Sequence, residues 1–418
     1  MVAVGPLLAA RKVDETRPDR PTAAFLASRS KRDVFILAIP LGVAIVNPAT
    51  GFVSGFYAAI FVFIYIMICY GIHLRLAAVD WLAFLSAVIV LLSPLWAYQW
   101  IPTVEASRGI AVTLAYFVSV RWVIRQHRDF VYFMRIIAIM CSVYSIYFLA
   151  TATAKDILTT RVSVDFANAN YTGAVLSFGA VATLWIVLFS QFSRGKSRLF
   201  WVSMFALQAL ALLKTGSRAS VAGLVAALVM LMFARNLWRL ARYLTVAVLV
   251  LGFNVGFFPQ TSDWFRAASE IVSSQTFTRG GHAMENLSGR AETWDGAREV
   301  VADSWLLGSG PGGYRYRSYA QLPAHAWGLE YMASVGLLGT SILAALILLC
   351  FTGHGIEMKF PASQRAGLWN SATALALVPD LVLSTNQWTL WAWVGFALWS
   401  RSYLLDTSDP GHRTPVAK

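Results

Sequence analysis

Residues 52–72 read FVSGFYAAIFVFIYIMICYGI, a run without one charged side chain. A helix of that length runs about 30 Å, the thickness of a bilayer's hydrocarbon core. The run is continuous, where a barrel strand would alternate. Only helices and closed barrels satisfy their backbone groups in lipid, so this stretch reads as a membrane helix. Similar runs lie near 34–48, 77–96, 107–124, 130–151, 172–193, 199–213, 219–234, 241–258, 324–352, 365–384 and 386–404. The first and the seventh in chain order are short and the tenth is long, which predicts tilted or half-buried helices there. The expected fold is an all-α polytopic membrane protein of about 12 transmembrane helices. Composition excludes a soluble protein of this size: 57% of the 418 residues are hydrophobic and 13% charged.

A net charge of +13 would suggest a nucleic-acid partner in a soluble chain. Here topology explains it, and no nucleic acid is expected. With the N-terminus inside, the inner segments hold 22 of the 34 Lys and Arg, the outer ones 11, and Arg135 falls within the fifth run. Clusters at Arg121/Arg125/Arg128, Arg194/Lys196/Arg198 and Arg235/Arg239/Arg242 mark the inner side. The layout is then a basic cytoplasmic tail (1–33), nine helices (34–258), a large extracytoplasmic loop (259–323), three helices (324–404) and a cytoplasmic tail (405–418). No cleavable signal peptide is read at the start. The large loop carries six arginines, yet long loops translocate regardless of charge. Its amphipathic stretches, 262–277 and 290–303, predict a small helical cap. Cys69, Cys141 and Cys350 sit within apolar runs, so neither a disulfide framework nor a metal site is suggested.

The polar residues that could carry chemistry gather on the outer side. His325 lies in LPAHAWGLE (322–330), where the loop meets the tenth run. An imidazole there is either a proton acceptor near neutral pH or an interfacial structural residue. Arg218 lies in KTGSRAS (214–220), a tight turn between two apolar runs. It either snorkels to lipid headgroups or grips a phosphate bidentately. Arg290, Trp294 and Arg298 share one helical face. That face suits a sugar ring beside a phosphate, or equally a solvated surface with pairs to Glu292 and Glu299. Asn170, in DFANANYTG (165–173) with Arg161 upstream, caps the sixth helix or bonds a sugar hydroxyl. The stretch Gly308–Gly313 follows no predicted strand and lacks a Gly-Lys-Ser/Thr, so it reads as a turn before Tyr314 and not as a phosphate loop. No outer Asp-x-Asp or paired His motif is present, and neither metal nor cofactor is expected.

These motifs, in this order, resemble the O-antigen ligase and polymerase family of bacterial membrane glycosyltransferases. The resemblance covers about residues 160–350. It rests on the Asn170 motif, the Ser217-Arg218 turn, the Arg290…Trp294 helix with Gly308-Ser309-Gly310…Tyr314, and His325…Glu330…Gly336. It implies transfer of a glycan from a polyprenyl diphosphate carrier to an acceptor hydroxyl on a glycan or lipid, at the outer face of a bacterial inner membrane. It further implies His325 as the base, with Arg218 and Arg290 on the diphosphate, and Glu330, Asn170 and Arg161 as further substrate contacts. Glu330 orients the imidazole, or else caps the helix or pairs with a loop arginine. Two departures stand out: Ala326 replaces a common Asn, and Ser334 a frequent Glu. A transporter or flippase is the rival class, but only Arg135 lies deep in a run and no repeat is seen, unlike the usual transporter plan.

Overall fold

The computed structural model describes residues 23–46, 51–70, 76–124, 127–151, 169–189, 196–215, 217–233, 282–318, 324, 326–352 and 390–402. Among the described residues there are eleven α-helices and no strand: α1 (Ala23–Val46), α2 (Gly51–Tyr70), α3 (Ala78–Leu92), α4 (Trp100–Val123), α5 (His127–Thr151), α6 (Ala169–Phe189), α7 (Lys196–Thr215), α8 (Arg218–Phe233), α9 (His282–Asp303), α10 (Trp327–Thr352) and α11 (Leu390–Ser402). Ten of the expected apolar runs fall on these helices. The runs at 241–258 and 365–384 and the amphipathic stretch 262–277 lie outside the described residues. Helix α1 begins at Ala23, inside the expected polar tail.

The chain is an all-α membrane protein. Three described helical stretches are long and apolar enough to cross a membrane: Ala78–Leu95, Arg128–Thr151 and Gly328–Cys350. Shorter apolar helices lie at Gly55–Tyr70, Tyr171–Val187, Ser197–Leu213 and Ser220–Val229. Where the apolar residues face tells the same story. Helix α2 leaves Phe61 71% and Ile68 80% exposed, a surface that suits lipid and not water. The C-terminal half of α4 and most of α6 are instead buried all round, as central helices must be. Helix α4 packs on α1, α2, α3 and α11, and α6 packs on α5, α7, α8 and α11.

Lipid gives helices no hydrophobic reason to associate, so close approach and polar bonds hold them together. A β-carbon at Gly179 of α6 would lie 2.3 Å from the Cys141 β-carbon of α5. Between α5, α6 and α7, Gln208 donates through Nε2 to the Ala138 carbonyl (2.9 Å) and to Ser142 Oγ (2.8 Å), while Thr183 donates to its Oε1 (3.1 Å). Arg121, from the first of the basic clusters, has a structural partner. It is buried and donates through Nε to Asp80 Oδ1 at 2.8 Å. It also donates to Ser400 Oγ and lies over the Phe117 ring. Asp80 in turn accepts from the Ala77 amide at 2.9 Å, closing the first turn of α3. One ion pair thus ties α3, α4 and α11.

The tenth run is not one straight helix. Helix α10 breaks at Gly336, whose φ of 64° and ψ of −168° belong to glycine alone. The break frees backbone groups that must find partners. Residues 305–310 supply them. Leu337 N donates to Trp305 O (2.7 Å) and Leu338 N to Leu306 O (3.2 Å), while Ser309 N donates to Ala333 O (2.8 Å) and Gly310 N to Ser334 O (2.9 Å). The backbones approach so closely that a β-carbon on Gly336 would sit 2.3 Å from the Leu306 carbonyl.

Candidate functional site

The sequence-derived candidates come together in two groups. The first joins the starts of α6 and α8. Asn170 lies in the first turn of α6 and Arg218 is the first residue of α8, with both side chains outside the described residues. Gly173 brings these starts together, since a β-carbon there would fall 2.4 Å from Ser220 Oγ. Ser217 caps α8: its Oγ accepts from the Ser220 amide at 3.4 Å and its own amide donates to Thr215 Oγ1 at 3.1 Å. The Asn170 motif and the Arg218 turn, 48 positions apart, therefore share one corner of the bundle. Arg161 lies outside the described residues.

The second group is a small cap on α10. Helix α9, which carries Arg290, lays Trp294, Ala297 and Val300 against Tyr314, Ala324, Ala326, Leu329 and Ala333 in one buried cluster. For Trp294 the structure departs from the sequence reading of that face. Trp294 is 8% exposed, so it is neither solvated nor open to stack on a sugar. Arg298 pairs with Asp295 at 2.7 Å, one turn back on its own helix. The Arg290 side chain lies outside the described residues.

His325 also lies outside the described residues, but its neighbours are fixed. Ala324 and Ala326 are both buried. The Ala324 amide donates to the Tyr314 hydroxyl at 3.1 Å, and the Ala326 carbonyl accepts from the Glu330 amide at 2.9 Å. Glu330 pairs with a loop arginine: Arg315 Nη2 lies 3.4 Å from its Oε1. The carboxylate is 6% exposed and the guanidinium 39%. Glu330 sits in the first turn of α10, where the helix dipole favours a negative charge. Burial pushes the Tyr314 hydroxyl well above its ordinary ionisation range, and the nearby Glu330 carboxylate adds to the effect. It therefore stays neutral at working pH.

The glycines of Gly308–Gly313 serve this assembly as a turn. Gly308, Gly310 and Gly312 have positive φ, and the amides of Ser309 and Gly310 are already bound to carbonyls of α10. No cradle of free amides for a phosphate is left at those two positions. The same stretch meets the far end of α3: Trp96 Nε1 donates to Leu307 O at 3.0 Å and Tyr98 N to Ser309 O at 3.2 Å. Arg317 closes the turn onto the end of α9 through Asp303 at 3.1 Å. The residues missed in the sequence are Tyr314 as a hydrogen-bond partner and Arg315 as an ion-pair partner. Their only signals were a tyrosine after a glycine turn and an arginine in a loop rich in them.

No match to the chain is found among curated proteins. Residues 203–344 match a family model described as O-antigen ligase. That stretch contains Arg218, Arg290, Tyr314, Arg315, His325 and Glu330, whereas Asn170 and Arg161 precede it. The match supports the resemblance carried by the motifs within that stretch, and residues 203–344 are similar to the O-antigen ligase family.

Proposed function

We propose that the protein is an integral membrane glycosyltransferase of surface polysaccharide assembly. It moves a glycan from a polyprenyl diphosphate carrier to an acceptor hydroxyl, on the outer face of a bacterial inner membrane, in a bundle of about 12 crossings with both termini cytoplasmic. The observation that carries this reading is the bracket around His325. Within the matched domain, the residues on either side of it are buried and bonded to the cap at the start of α10. A general base needs a fixed mount of this kind.

In the proposed reaction His325 accepts the proton of the acceptor hydroxyl. The acceptor oxygen then bonds to the anomeric carbon, and the bond from that carbon to the diphosphate oxygen breaks with its electron pair. Polyprenyl diphosphate leaves with the added negative charge. Arg218 and Arg290 hold and neutralise it. The start of α8 at Arg218 supports this role, because it adds the positive end of a helix dipole. A positioned base contributes about 10²–10⁴-fold and fixed cations at the leaving group typically more. Diphosphate leaves readily, so no separate acid and no metal are assigned. Asn170 and Arg161 are proposed to contact the glycan from the α6 side, and Glu330 to hold the cap beside it.

The test supplies full-length protein in nanodiscs with a polyprenyl diphosphate-linked oligosaccharide as sole substrate. A ladder of longer glycans with released carrier identifies a polymerase. Transfer that starts only when a second acceptor is added identifies a ligase, the reading favoured by the retained His325. Full transfer by His325→Ala would remove the base assignment. Failure of every acceptor would return the chain to the transporter class.

A further inference from the structure

We infer that Tyr314 is a positioning residue for glycan transfer, acting on the active-site segment through the Ala324 amide and backed by Arg315 and Glu330. This rests on the reading of His325 above.

Ala324 precedes α10 and is buried, so its N–H has no helical partner and no water. Leaving such a donor unpaired costs about 1–3 kcal/mol. The Tyr314 hydroxyl meets it at 3.1 Å. Tyr314 is itself wholly buried, on a short 3-10 turn at Gly313–Tyr316, and its ring packs among Trp294, Ala326 and Leu329. The turn is held from the other side by tight glycines: a β-carbon on Gly313 would lie 2.3 Å from Thr103 Oγ1 of α4. The hydroxyl is therefore mounted on rigid backbone, and through it the chain one residue before His325 is mounted too.

A phenol oxygen that accepts one hydrogen bond can accept a second. Arg315 and Glu330 are the charged groups that face it from the turn and from α10. The Arg315 side chain donates to that oxygen and in turn pairs with Glu330 at 3.4 Å. Glu330, Arg315, Tyr314 and Ala324 thus form a polar chain ending beside His325. Phe at position 314 would keep the ring packing and delete only the hydroxyl. Small displacements of a reacting group reduce rate steeply while leaving substrate affinity intact.

The experiment is Tyr314→Phe in the full-length protein in nanodiscs, with kcat and donor KM read separately and the thermal midpoint read alongside. We expect kcat to fall about 10- to 100-fold, with KM and the midpoint nearly unchanged. A lesser fall, about 3- to 10-fold, is expected for Arg315→Gln, which keeps the hydroxyl but removes its charged neighbour. Unchanged kcat in Tyr314→Phe, with His325→Ala inactive, would overturn the inference and leave the base assignment standing. An active His325→Ala would overturn the base assignment itself. A rise in KM with kcat intact would make Tyr314 a substrate-binding or merely structural residue. Should Tyr314→Phe fail to fold, Arg315→Gln and Glu330→Gln decide by the same kcat-against-KM reading.

Discussion

Two of the described arginine–carboxylate pairs, one at the first turn of α3 and one in the cap, are built for different tasks. Arg121 and Asp80 meet at 2.8 Å with side chains 3% and 2% exposed. The pair sits at the first turn of α3, where further bonds to Ser400 Oγ and the Ala77 amide complete it. Arg315 and Glu330 meet at 3.4 Å, with the guanidinium 39% exposed. They belong to the cap that meets the other end of α3 through Trp96 and Tyr98. A sealed pair with good geometry is a pin, because either charge left alone is intolerable there. A looser pair with one partner open to solvent is worth little to stability. Its place in the cap that holds the Ala324 amide, within the matched stretch, fits the positioning role proposed above.

The largest effect should come from breaking the pin. Arg121→Ala leaves Asp80 as an uncompensated buried charge and is expected to destabilise the protein by about 3–5 kcal/mol. Yield of folded protein and its unfolding midpoint in detergent measure this. Replacing both partners by apolar residues, as in Asp80→Leu with Arg121→Met, should recover much of the loss. If the single variant were as stable as the parent, the contrast between the two pairs would collapse.

Next in size is Gly336→Ala. The glycine holds a positive φ with the Leu306 carbonyl against it, so a methyl group must displace the 305–310 segment. A strained backbone of this kind costs about 1–3 kcal/mol before any hydrogen bond is lost. We expect faster amide exchange at Ser309, Gly310, Leu337 and Leu338, with the Arg121 region unaffected. Exchange that rose equally at both ends would show that the cap and the bundle are one cooperative unit.

These two sites also mark how far the sequence could be read. The helices were legible because an uncharged run such as 52–72 has few stable alternatives in lipid. The shared corner of Asn170 and Arg218 was half legible: each motif stood beside a helix start, but only Gly173 packed on Ser220 shows that the starts touch. The break in α10 was hidden, since a glycine within Val335–Gly339 reads as an ordinary residue of an apolar run. Its conformation is imposed by a loop some thirty positions earlier. The partner of Glu330 stayed open for the same reason. Arg315 is one of six loop arginines, and only folding selects it. The partner of Arg121 was hidden too, since a charge near a helix end gives no sign of whether it is buried and paired.

A milder change sharpens the contrast from the functional side. Arg315→Gln gives the buried Glu330 carboxylate an amide donor in place of its ion pair, so it should cost less stability than Arg121→Ala, yet slow transfer as set out above. Arg315→Lys keeps the charge but loses the planar fork, and should recover the stability more fully than the rate. Unfolding midpoints and transfer rates measured on the same preparations separate the two. A stability loss as large as that of Arg121→Ala would make the Arg315 pair a second pin.

The smallest effect concerns alkaline pH. Burial raises the ionisation of Tyr314 well above the ordinary 10.0, with the Glu330 carboxylate as a second contribution. In the unfolded chain the same phenol ionises near 10. Between those limits the folded protein keeps a proton that the unfolded chain has lost, so stability must fall as pH rises through that window. The contribution is fully present below about pH 10 and disappears above it, with a slope approaching 1.36 kcal/mol per pH unit. Tyr314→Phe has no such proton. Its unfolding midpoint should follow the parent's between pH 7 and about 9.5, then fall less steeply. Other buried tyrosines contribute equally to both proteins, so the difference between the curves isolates Tyr314. Parallel curves to pH 11 would mean that the phenol reaches solvent, and the hydroxyl could not then be a rigid mount for the segment beside His325.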